Sequence, residues 1–72
     1  MPVITAKQLV GVILRLGFRL DRQKGSHAIY VRDLDRSRIV IPLHAGKDIK
    51  PKTLAGILND IGIGIDEFRD HL

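Results

Sequence analysis

Residues 18–42, FRLDRQKGSHAIYVRDLDRSRIVIP, decide the fold. Phe18-Arg19-Leu20-Asp21-Arg22-Gln23 alternates apolar and polar side chains, the period of a strand with one buried face. Lys24-Gly25-Ser26 has the composition of a tight turn, and His27 to Arg32 reads as the strand that returns beside the first. Asp33-Leu34-Asp35-Arg36-Ser37 makes a second, polar turn. Arg38-Ile39-Val40-Ile41-Pro42 is then a third strand, which the proline ends or marks as an edge. Three such runs joined by two turns give an antiparallel meander. In the middle strand both alternations are apolar, Ala28 with Tyr30 and Ile29 with Val31, and a slip of one residue exchanges them. Which pair faces the core is therefore open at this level.

On either side of the meander the period changes from two to 3.6. Thr5 followed by Gln8 forms a capping box, and Leu9, Val12, Ile13 and Leu16 put one apolar stripe along a first helix, which Gly17 stops. Leu43 to Ile49 has no sustained period and reads as a loop. Pro51 suits the first turn of a second helix, Leu54, Ile57, Leu58 and Ile61 repeat the stripe, and Gly62 closes it. Gly64-Ile65-Asp66 opens a short terminal turn, with Asp66 as N-cap and Phe68 and Leu72 on one side. Two helices with narrow apolar stripes must bury them, and one face of a small meander is the surface on offer. The expected fold is a two-layer α+β domain over residues 1–72, α-β-β-β-α, with both helices on one face of a three-stranded sheet and the other face open to a ligand.

At 72 residues without cysteine, the chain lies near the lower size limit for a single hydrophobic core and has no disulfide to assist it. A hydrophobic fraction of 44% with only Phe18, Tyr30 and Phe68 aromatic predicts an ordered, aliphatic core. The longest apolar runs are broken by Arg15 or by prolines, so neither a signal peptide nor a membrane span is expected, and the expected compartment is the cytoplasm. Arg19, Arg22, Lys24, Arg32, Arg36, Arg38, Lys47, Lys50 and Lys52 stand against four aspartates in the same interval, so the middle of the chain carries the whole positive excess. Such a field favours a polyanion, nucleic acid first, over an ordinary solvated surface.

His27 is the candidate for chemistry, because imidazole titrates near neutrality and a strand start beside a turn leaves it accessible. On the residues alone, a turn histidine that merely hydrogen-bonds is the better explanation of it. Ser26 is better explained by turn chemistry than as a nucleophile, and Tyr30 by packing with a polar tip than by stacking on a base. His44, two residues after Pro42, either faces the same site or is a loop histidine; His71, near the chain end, has a surface role. The histidine spacings match no zinc motif, and no metal or other cofactor is expected. Lys47, Lys50 and Lys52 flank the start of the second helix, where backbone N–H groups add to phosphate binding.

Leu16-Gly17-Phe18, Arg22-Gln23-Lys24-Gly25-Ser26-His27 with Ile29-Tyr30, Ile41-Pro42-Leu43-His44 and Ile49-Lys50-Pro51-Lys52-Thr53-Leu54 resemble, at matching spacing over nearly the whole chain, the HicA toxins of bacterial and archaeal toxin–antitoxin pairs. The resemblance implies a fold like the double-stranded-RNA-binding domain, toxicity through cleavage of messenger RNA, neutralisation by a HicB antitoxin, and a catalytic role for His27. Arg22, Lys24, Ser26, Lys47, Lys50 and Lys52 are then the candidate RNA-binding residues, with His44 and Tyr30 as possible accessories, His44 alternatively belonging to an antitoxin-binding surface. The toxin is expected to be a monomer when free and a hetero-oligomer with its antitoxin. Many members carry a second histidine directly after the catalytic one, where this chain has Ala28. A non-catalytic RNA-binding module and a structural adaptor are the other classes compatible with the same residues.

Overall fold

The computed structural model describes residues 3–44 and 47–72. Chain order is β1 (Ile4–Thr5), α1 (Ala6–Arg15), β2 (Arg19–Lys24), β3 (His27–Arg32), β4 (Ser37–Pro42), β5 (Asp48–Ile49), α2 (Pro51–Ile61) and α3 (Ile65–Asp70). Helix α1 starts at the capping box: the Gln8 amide donates to Thr5 Oγ1 at 3.1 Å and the Thr5 amide donates to Gln8 Oε1 at 2.9 Å. Beyond its end Gly17 takes φ +94°, the left-handed conformation that the sequence reserves for glycine there. Helix α2 begins with Lys50 at the N-cap and Pro51 behind it, and Gly62 closes it at φ +85°.

Strands β2, β3 and β4 form the expected antiparallel meander, with β3 in the centre. Pairing of Ala28 with Ile41 and of Tyr30 with Ile39 puts these four on one face, and all four are buried in a core with Leu9, Val12 and Ile13 of α1 and Leu54, Ile57 and Leu58 of α2. Ala28 and Tyr30 thus face the helices. Ile29 and Val31, paired with Val40 and Arg38, point to the opposite face, where Ile29 is nevertheless only 6% exposed. The result is the α+β arrangement with both helices on one side.

Three sequence expectations are corrected. Strand β2 has no buried face: all six of its residues are exposed. It lies at the sheet edge, only Phe18 just before it enters the core, and a bulge between Leu20 and Arg22 breaks the alternation, leaving Leu20 49% exposed. The stretch read as a loop contains β5, which pairs with β1 through Ile4–Ile49 and Thr5–Asp48, because a two-residue strand is too short to show a period. Finally, α3 is capped by Gly64, with Asp66 inside its first turn, and although Phe68 is fully buried as expected, Leu72 is half exposed.

Among the described residues, no helix is long and apolar enough to cross a membrane.

Candidate functional site

Cross-strand pairing sorts the side chains of the open face into rows. Lys24, His27 and Pro42 form one row, Arg22, Ile29 and Val40 the next, and Arg19, Val31 and Arg38 the third. The bulge is what makes this possible. Arg19 and Arg22 are three residues apart and would lie on opposite faces of a regular strand, but the extra residue, Asp21, brings both to the face that carries His27. Lys24, two residues further, stays with them. His27 is therefore exposed at the start of β3, with Lys24 directly across and Arg22 diagonal to it.

The turn that presents His27 is built from two residues, Gly25 and Ser26. Gly25 has φ +56° while Ser26 does not share the positive φ, the pattern of a type II′ hairpin turn. Gln23 Nε2 donates to the Gly25 carbonyl at 3.0 Å, and the Leu43 amide donates to the Ser26 carbonyl. Ser26 thus serves the turn through its backbone, tying the hairpin tip to the segment that leaves β4.

That segment opens onto a basic cleft. A cavity of about 340 Å³ is lined by Pro42, His44, Lys47, Asp48, Lys50 and Thr53. The Lys47 amide donates to the His44 carbonyl at 3.0 Å, which holds these two residues of the cleft together. Lys50 is the N-cap of α2 and makes no side-chain cap, so the amides of Lys52 and Thr53 in the first turn have no capping side chain, and Lys50 and Thr53 both line this cleft. Lys52 is exposed on the first turn of α2 but lies outside the cavity wall. Pro42 joins the cleft to the row of His27, whose cross-strand partner it is.

Not all the positive charge is available to a ligand. Arg19 makes two hydrogen bonds of 3.1 Å to Asp33, and Arg32 makes two, of 3.1 and 2.8 Å, to Asp35. These bonds hold both carboxyls below the usual aspartate range, and the Ser37 side chain adds to the effect at Asp35. Arg32 also donates to the Leu16 carbonyl at 2.9 Å and stacks over the Phe18 ring at 4.6 Å. Arg32 is thus a structural cation, although composition alone counts it with the ligand-binding ones. Lys24, Arg36, Arg38, Lys47, Lys50 and Lys52 have no carboxylate within salt-bridge distance among the described residues, and Arg22 has only the loose contact to Asp21 at 3.7 Å.

The remaining candidates separate cleanly. Position 28 faces the helix layer, so a side chain there stands on the opposite side of the sheet from His27. Tyr30 is packed in the core, as its amphipathic character predicts. His44 is exposed at the cleft, while His71 caps α3 at the far end of the chain. Among the described residues, no three potential metal ligands converge. Lys7, which carries no sequence signal because it lies outside the basic interval, lines a second cavity together with His44 and Lys47.

A family model described as the HicA toxin of bacterial toxin-antitoxin matches residues 6–63. No curated protein matches the chain.

Proposed function

We propose, because the chain belongs to the HicA toxin family of bacterial toxin–antitoxin systems, that it acts as an endoribonuclease on messenger RNA, with His27 as the general base. The observation that carries this reading is the bulge in β2, which gathers Arg22 and Lys24 around an exposed His27. RNA contains its own nucleophile. Once a base takes the proton of a 2′-hydroxyl, its oxygen forms a bond to the adjacent phosphorus, the bond from phosphorus to the 5′-oxygen breaks, and the leaving oxygen takes a proton from water. A positioned imidazole contributes roughly 10²- to 10⁴-fold to such a step. Arg22 and Lys24 offset the charge that grows on the phosphate oxygens, and Lys47, Lys50, Lys52 and the amides of α2 hold flanking phosphates. No metal enters this scheme.

As a member of a toxin–antitoxin family, the protein has an antitoxin partner. We take that partner to be a HicB protein that covers the His27 face, and both to act in the cytoplasm. The test compares wild type with His27→Ala on single-stranded RNA in EDTA, both checked for folding by circular dichroism. Cleavage by wild type alone supports the reading. Equal cleavage by both removes His27 from the mechanism, and RNA binding without cleavage by either favours a binding module.

A further inference from the structure

Beside the basic cleft lies a larger cavity of about 510 Å³, between the first turn of α1 and the segment that leaves β4. Its apolar wall comes from Ala6, Val10 and Leu43, and its polar groups from Tyr30, Lys7 and Lys47. His44 and Lys47 belong to both cavities, so the two are neighbours across one shared wall. Tyr30 is only 7% exposed, yet its side chain reaches this cavity. Its hydroxyl has no hydrogen-bond partner among the described residues, and it is not sealed from solvent. Tyr30 lines this cavity beside its apolar wall, and a phenol can both donate to and accept from a polar group bound there.

The cations select the ligand class. A pocket apolar on one side, with lysines at its rim and a basic cleft next door, matches a nucleotide whose base enters the pocket while its phosphates stay among Lys47 and Lys50 at the start of α2. Resting on the reading of the protein as an RNA-cleaving toxin, we propose that this cavity is a nucleobase subsite and that Tyr30 reads the edge of the base bound there. The subsite gives the enzyme a base preference at one position of the RNA, separate from the phosphate contacts that give it affinity.

The test measures binding of the His27→Ala protein, which leaves the strands intact, to homopolymeric ribo-oligonucleotides of the four bases and to an abasic strand of the same length. At least one base-bearing strand should bind about tenfold more tightly than the abasic one, the size of one good hydrogen bond plus apolar contact. Adding Tyr30→Phe, which keeps the packing and removes the hydroxyl, should flatten the preference among the four bases. Adding Ala6→Leu, which fills the pocket from the helix, should bring base-bearing and abasic strands together. Neither change should alter the affinity for the abasic strand or its salt dependence. Equal binding of base-bearing and abasic strands by the parent protein overturns the subsite, as does a base preference that survives both changes. Failure to bind any strand overturns the RNA reading itself, and the subsite with it.

Discussion

Arg36, at φ +58° in the turn between β3 and β4, holds a left-handed conformation that costs a residue with a side chain about 1 kcal/mol or more. Glycine removes that cost but adds chain entropy on unfolding, so Arg36→Gly should leave the melting temperature unchanged or raise it slightly. Gly25 presents the reverse case. A Cβ there would meet nothing within 4 Å, so the cost of Gly25→Ala comes from the φ of +56° alone, and urea denaturation should show a loss of about 1 kcal/mol. Because the same turn presents His27, Gly25→Ala should also slow cleavage in the folded fraction, whereas Arg36→Gly should not.

At the scale of elements, Arg32 joins three of them, through the Leu16 carbonyl at the end of α1, the Phe18 ring ahead of β2 and the Asp35 carboxylate in the turn before β4. The Asp35 carboxyl is held below its ordinary value by Arg32 first and Ser37 second. A carboxyl depressed in the folded state adds stability that is complete above its unfolded value, about pH 4, and is lost as pH falls toward the folded one. Asp35→Asn should therefore melt below wild type at neutral pH, and the gap should narrow progressively below about pH 4. Elements of this kind show how far sequence reading reaches. The capping box, both helix-ending glycines and the Gly25-Ser26 turn were legible because each rests on interactions within a few residues. The β2 bulge was not, since FRLDRQK alternates acceptably without it and only pairing with β3 reveals the extra residue. Nor was the Arg32 bond to the Leu16 carbonyl, which depends on a residue sixteen positions away.

For the molecule as a whole, net charge pointed to a polyanion, but the distribution of that charge needed the structure. Arg19 and Arg32 are neutralised locally, while Lys47 and Lys50 line one cleft. Lys50→Glu with Lys52→Glu should weaken RNA binding across sequences and reduce the slope of log affinity against log salt by about 0.7 for each phosphate that is no longer neutralised. Truncating Leu9, fully buried, to Ala should cost about 2–5 kcal/mol, whereas Leu20→Ala at the exposed edge should cost far less, a contrast that equilibrium unfolding will read directly. His27 and the lysines could be nominated from sequence, but their relation to one another could not, because Pro42 and Leu43 connect the hairpin to the cleft only through strand pairing and one backbone hydrogen bond.

The two-residue pairing of β1 with β5 has a consequence for the order of assembly. It joins Ile4 to Ile49, the most distant strand partners in the chain, whereas the meander is closed entirely by local turns. Closing so long a loop is favourable only after the hairpins and helices have formed. The start of α2, with its lysines, is thus anchored late, after the hairpin that carries His27. Substitutions at Ile4 or Ile49 should accordingly speed unfolding while barely slowing folding.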